Sequence, residues 1–171
     1  MIDEYLNRFD EILCAMADKM FLQKIENNIM NNYIYCITKH IEASVALLEN
    51  ILKYTNNKNI IELSKNVIEI KKKETHGFIL EEIVDLNDTI NEYMIEYRKI
   101  ITEMIFKMYH SSKSENIDVN FIDEIIPHFE GYILISKNLL KYKKNNLIEE
   151  NLKNNTHILE KLLKIKREIE T

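Results

Sequence analysis

The residues with the most chemistry in them are two histidines 88 positions apart, His40 and His128, and four methionines that keep the same spacing: Met16 and Met20, then Met104 and Met108. In an antiparallel helical hairpin turning near residues 28–29, His40 stands level with about residue 17, between Met16 and Met20. By the same geometry His128 stands level with about residue 105, between Met104 and Met108. One imidazole beside two thioethers is a soft donor set, suited to Cu(I) over Mg or Ca. These six residues are the candidate metal ligands, as two weak copper-type sites. The same residues also have a structural reading: methionine is adaptable core packing, and a histidine at the edge of an apolar stripe hydrogen-bonds inside the core. Glu42 and Glu130 share the 88-residue spacing but lie about 200° around the helix from their histidines. They read as surface charges or contacts to another chain, not co-ligands.

Other chemistries find no residues to carry them. A ferritin-type di-iron site needs Glu-x-x-His on its helices, and no Glu is followed by His at that spacing. There is no His-Glu-x-x-His, Gly-rich phosphate loop or Cys-x-x-Cys. The serines form no nucleophile elbow. His76, His110 and His157 have no duplicate partner and are expected at the surface. Cys14 and Cys36 are the only thiols. On the hairpin above they sit on the order of 10 Å out of level, so both are expected to be buried and reduced.

The spacing of 88 belongs to a longer duplication. Residues 3–54 match residues 91–142 without a gap at seventeen of 52 positions, where composition alone gives about one in ten. Beyond Tyr54 the match fades. The shared residues include non-core types such as His, Glu, Asn and a Lys-Tyr pair, which amphipathic periodicity does not require.

Composition sets the class. A chain of 171 residues with 46% hydrophobic content can bury a real core, and two Gly and one Pro leave little punctuation for turns and strands. The reading is all-α. A net charge of −5, with only a mildly basic stretch after residue 136, leaves no footprint for nucleic acid. No stretch approaches 18 unbroken apolar residues, and the acidic start lacks the apolar core of a signal peptide. The expectation is a cytoplasmic protein with no membrane partner.

Six helices follow from the periodicity. The first covers 3–26, with Tyr5, Phe9, Ile12, Leu13, Met16 and Met20 inward. The second covers 32–54, with Ile34, Ile37, Ile41, Val45, Leu48 and Leu52. The third covers 60–74, with Ile61, Val67, Ile68 and Ile70, and Gly77 serves as its stop or a hinge. The second half repeats the plan over 81–110, 120–142 and 147–169, with a loop at 111–114 and Asp118 or Asn120 as a cap. Pro127 frees the carbonyl of Asp123 and predicts a kink before His128. Gly131, opposite Ala43 in the first half, predicts a close helix approach.

The stretch Phe121-Ile122-Asp123-Glu124-Ile125-Ile126-Pro127-His128-Phe129-Glu130-Gly131-Tyr132-Ile133, and more loosely residues 33–45, resemble the family catalogued as domain of unknown function 305, a ferritin-like helical family. The pattern is Phe-x-x-x-Met-Ile-Pro-His-His-x-x-Ala-Ile, and a tandem-copy member would span nearly the whole chain. The resemblance implies a ferritin-like bundle and metal handling, with copper suggested. Of the paired histidines only His40 and His128 are present, with Ile41 and Phe129 in the second place. Ile125 and Ile37 replace the methionine, and no third-helix Gln exists.

The expected protein is an all-α, ferritin-like bundle of two three-helix repeats, 1–80 and 81–171, packed together. Its expected role is non-enzymatic, with weak soft-metal binding. The alternative role is a structural or protein-interaction scaffold, as a homodimer or with a protein partner, that has lost the ligands.

Overall fold

The computed structural model describes residues 1–111 and 113–171; Ser112, in the expected loop at 111–114, lies outside the described residues. Among the described residues, six α-helices make up the fold: α1 (Ile2–Phe21), α2 (Ile29–Ile51), α3 (Lys58–Glu74), α4 (Asn87–Tyr109), α5 (Ile117–Leu140) and α6 (Asn146–Ile169). A single 3-10 turn, Thr75–Gly77, follows α3. Asparagine starts four of the helices. Asn28, Asn57, Asn116 and Asn145 each accept hydrogen bonds from backbone N–H groups of the first turn, a cap worth about 1 kcal/mol. The cap of α5 is therefore Asn116, not Asp118 or Asn120. The first helix ends five residues earlier than its periodicity suggests. The fourth begins at Asn87, because residues 81–86 are held in a non-helical crossover described below.

The helices α2 and α5 pack against each other at the centre, flanked on one side by α1 and α4, which touch each other, and on the other by α3 and α6. Tyr33 meets Ser136, and Ser44 meets His128, so numbers rise along one central helix as they fall along the other, and the pair is antiparallel. The apolar stripe of α1 is buried as expected. That of α3 is rotated from expectation. Ile60, Leu63, Val67 and Ile68 are buried, but Ile70 is exposed and the buried face continues onto Lys71 and Glu74.

The 88-residue spacing recurs in the contacts. Asn50 Nδ2 donates to the Tyr5 carbonyl and Asn138 Nδ2 to the Tyr93 carbonyl, both at 3.1 Å. Asn32 brackets the backbone of Glu26 as Asn120 brackets that of Ser114. Tyr5 meets Tyr54 edge-on, and Tyr93 meets Tyr142 in the same way. The spacing also runs past Tyr54, where the sequence match had seemed to fade: the caps Asn57 and Asn145 and the buried Ile60 and Ile148 are 88 apart.

The helix α5 runs unbroken through Pro127. Gly131 lies against the Met104 side chain, so any Cβ there collides with its Sδ and Cγ. Gly77 lies against Leu147 in the same manner. Both cysteines are free. Cys36 is buried as expected, but Cys14 is exposed, because it falls on the water-facing side of α1 between the buried Leu13 and Met16. His76, His110 and His157 are exposed.

Candidate functional site

The centre of the bundle holds the two duplicated histidines, and it holds them against each other. His40 on α2 and His128 on α5 are fully buried, with ring centroids 3.6 Å apart and planes within 15°. His40 Nε2 lies 2.7 Å from the His128 carbonyl oxygen. A carbonyl only accepts, so the proton of His40 is on Nε2. Ser44 donates its hydroxyl to the His40 carbonyl at 2.9 Å. Its oxygen is then the acceptor for His128 Nε2–H at 2.7 Å. Both rings are the same tautomer, and both Nδ1 atoms are buried with no hydrogen-bond partner. Both are neutral. Burial, then the charge of Lys71, lowers His40 to about 3. Burial, then His40 and Lys71, holds His128 well below the usual histidine value.

A second polar group lies beside this pair. Lys71 on α3 is fully buried, with Nζ 4.0 Å from the centre of the Tyr132 ring and 5.2 Å from that of Phe129. Its ammonium donates to Glu74 Oε2 at 2.9 Å and to Asn155 Oδ1 on α6. Asn155 Nδ2 closes the ring by donating to Glu74 Oε1 at 2.9 Å and to the Asn151 carbonyl at 2.7 Å. Burial pushes Lys71 down to about 8, against the opposing pull of Glu74. An isolated charge here would cost several kcal/mol. The ring of three side chains, with two aromatic faces over the cation, offsets that cost.

A lysine near 8 and neutral imidazoles are the groups a proton-transfer enzyme would use. Here each is sealed, and the surface cavities are lined by other residues. One of them, about 440 Å³, lies at the end of α1 against α2, between Leu22, Gln23, Tyr35 and Lys39.

The methionines are buried, but they line other seams. Met16 sits between α1 and α2 beside Ala43 and Glu42, and Met104 packs on Gly131 between α4 and α5. Met20 faces Met94 and Tyr97 between α1 and α4, and Met108 is fully buried. The expected levels hold, since Lys19 pairs with Glu42 at 3.5 Å and Lys107 with Glu130 at 4.0 Å, and both carboxylates are surface charges. The structure brings the two histidines together across the repeats. Imidazole lone pairs lie in the ring plane, so with the two planes stacked the lone pairs of the free Nδ1 atoms do not converge on one point. One ion held by both rings would need them to unstack. Among the described residues, no three His, Cys, Asp or Glu side chains are grouped to hold a metal ion.

Lys71, Glu74, Ser44 and Asn155 were not legible as site residues. A signal existed for the first two: Ile60, Leu63, Val67, Lys71 and Glu74 continue one helical stripe with a charge pair in place of apolar side chains.

No family model, curated protein or solved structure matches the chain.

Proposed function

We propose that this chain is a non-enzymatic helical-bundle module that binds another protein through the crossover between its two halves. The observation that carries the reading is the inverted polarity of residues 78–86. Ile79 is 80% exposed, Ile83 and Val84 are each 66% exposed, and Leu86 is 77% exposed. The carboxylates of Glu81 and Asp85 are instead folded back onto Lys143, at 2.7 and 3.1 Å. A loop that merely connected two helices would turn its charges out and its apolar groups in.

The crossover is also anchored. Asn28 Nδ2 donates to Glu81 Oε2 and to the Ile83 carbonyl, and Asp85 accepts from the Ile29 N–H at the start of α2. Asn31 bonds both the N–H and the carbonyl of Glu81. A fixed apolar display loses little entropy when it is covered. Full burial of each such side chain is worth about 1.5–3 kcal/mol, and exposed apolar patches of this kind mark interaction sites. His40, His128, Lys71 and Glu74 support the non-enzymatic part of the reading, since each bonds a partner inside the bundle.

The test is selection of phage-displayed random peptides on the folded protein. The enriched peptides are then measured on wild type and on Ile79→Ser/Ile83→Ser/Val84→Ser/Leu86→Ser, whose changes are all at exposed positions. The expected result is binding that falls at least tenfold in the variant while its helical circular dichroism is kept. Peptides that bind both proteins alike overturn the reading.

A further inference from the structure

Resting on that reading, we infer that the crossover takes its partner as an added strand: an extended peptide with apolar side chains and with Lys or Arg facing Glu82. The argument starts from the backbone. Phe78 (φ −79°, ψ 126°) and Leu86 (φ −65°, ψ 137°) are extended at the two ends of the segment. Between them the bonded backbone groups alternate. The N–H and carbonyl of Glu81, the carbonyl of Ile83 and the N–H of Asp85 all point to the α1–α2 corner, where Asn31, Asn28 and the Asn27 carbonyl take them. In an extended chain, successive residues aim these groups to opposite edges. Leu80, Glu82 and Val84 therefore aim theirs away from the bundle, and no hydrogen bond among the described residues reaches them. This is one edge of a strand already paired and the other edge free, the arrangement that accepts an extended peptide.

Charge selects the peptide. Glu81 and Asp85 share the one ammonium of Lys143, which balances one of their two charges. The uncovered charges along the segment are Glu82 and, at the start of α4, Asp88, both exposed carboxylates. A second copy of the chain is disfavoured as the occupant. The antiparallel register that pairs the whole of 78–86 with itself puts Glu82 opposite Glu82, and like charges directly opposite are destabilising.

The test uses a fluorescent peptide of alternating lysine and valine, seven residues long. Its controls are the glutamate-valine counterpart and a lysine-valine peptide methylated at alternate backbone nitrogens. Binding is read by anisotropy on the full chain, on Val84→Pro and on Glu82→Lys. Val84→Pro removes one free-edge N–H, keeps an extended φ and leaves the bonds of Glu81 and Asp85 in place. The expected result is binding of the lysine peptide that weakens at least tenfold with the methylated peptide and in Val84→Pro, and a preference for the glutamate peptide in Glu82→Lys. Equal binding of the methylated peptide, or no change in Val84→Pro, overturns strand addition. No binding of the lysine peptide, with selected peptides still dependent on Ile79, Ile83, Val84 and Leu86, overturns this inference and leaves the docking reading intact. Loss of both overturns both. Concentration-dependent dimers in sedimentation that Val84→Pro abolishes would make the occupant a second copy, against the inference.

Discussion

Tyr5 and Tyr93 hold equivalent places in the two halves, and so do Glu124 and Cys36. Tyr5 donates to Glu124 at 2.6 Å across the bundle, whereas the Tyr93 hydroxyl is buried without a partner, with the Cys36 thiol nearby. The same divergence recurs at the centre, where Ser44, which serves His128, corresponds to Tyr132, whose ring meets His40 edge-on. It recurs again where α3 meets α6. Lys71 and Glu74 correspond to Leu159 and Leu162, and Asn155 and Asn151 correspond to Val67 and Leu63. Among the buried hydrogen bonds, what both halves keep are side chains that bond to backbone, such as Asn50 with Asn138 and Asn32 with Asn120. A backbone partner is the same in both halves, so the side chain that serves it is held. A side-chain partner can change together with its mate, and these buried contacts differ between the halves, whereas the exposed pairs Lys19–Glu42 and Lys107–Glu130 are alike.

The largest effect comes from breaking the polar side of that comparison. Glu74→Leu alone leaves the Lys71 ammonium buried without its carboxylate, and the expected loss is about 3–5 kcal/mol in urea unfolding. Lys71→Leu/Glu74→Leu/Asn155→Val copies the other half onto this one. It is expected to be neutral, or more stable by about 1–4 kcal/mol, because a well-packed apolar set replaces an ion pair whose desolvation cost is removed. A triple variant as unstable as the single one would mean that the three side chains fix the helix arrangement and are not merely tolerated. The pH dependence gives a second reading. Lys71 is near 8 folded and 10.5 ordinarily, so between those values the unfolded chain binds more protons. Its contribution to stability therefore rises with pH across that window, and the triple variant should lose this rise.

The histidine pair gives the next effect. His40 is near 3 folded against 6.5 ordinarily, and His128 is displaced in the same direction. Below 6.5 the unfolded chain takes up protons that the folded rings refuse, so stability falls on acidification. Each ring contributes a slope of about 1.4 kcal/mol per pH unit, in the case of His40 until pH nears 3. The Glu124 carboxyl is raised by burial and opposes this in part, since it protonates in the folded chain first. The difference between wild type and His40→Gln/His128→Gln isolates the rings: the variant should show a shallower slope between pH 6.5 and 5. Equal slopes would mean that both folded rings take up protons as the unfolded ones do, and would overturn the tautomers assigned above.

Much of the fold was legible because it rests on periodicity. The six helices, the α1 stripe and the hairpin levels that pair Lys19 with Glu42 follow from apolar spacing alone. The 88-residue spacing pointed to His40 and His128 for a sound reason, since they are polar residues of the core that recur at it, as Asn32 with Asn120 and Asn50 with Asn138 also do. Their partners were hidden because a hairpin argument sees only neighbours within one half. The contacts that matter cross between halves, with residues 40 and 128 stacked and residues 71 and 155 bonded. Residues 81–86 read as helix because Ile83, Val84 and Leu86 are apolar enough to continue a helical stripe, while the anchors that hold the segment extended, Asn28 and Asn31, lie about fifty residues earlier.

The smallest effect sharpens the comparison between the two tyrosines. Tyr5→Phe removes a hydrogen bond to a buried carboxylate that keeps only Lys113, at 3.0 Å, as its other partner. Bonds to charged groups are worth about 1.5–3 kcal/mol, so a loss in that range is expected. Tyr93→Phe removes a hydroxyl that is buried and bonds to nothing, and relief from that unpaired group makes the change neutral or slightly stabilising. The two substitutions are chemically identical and sit at equivalent positions, so urea midpoints measured side by side subtract everything except the partner. If both cost the same, the Tyr93 hydroxyl has a partner in solution, and Cys36 is the group to test next. In that case Cys36→Ala should cost less in the Tyr93→Phe background than in wild type, by the worth of the bond the two side chains share.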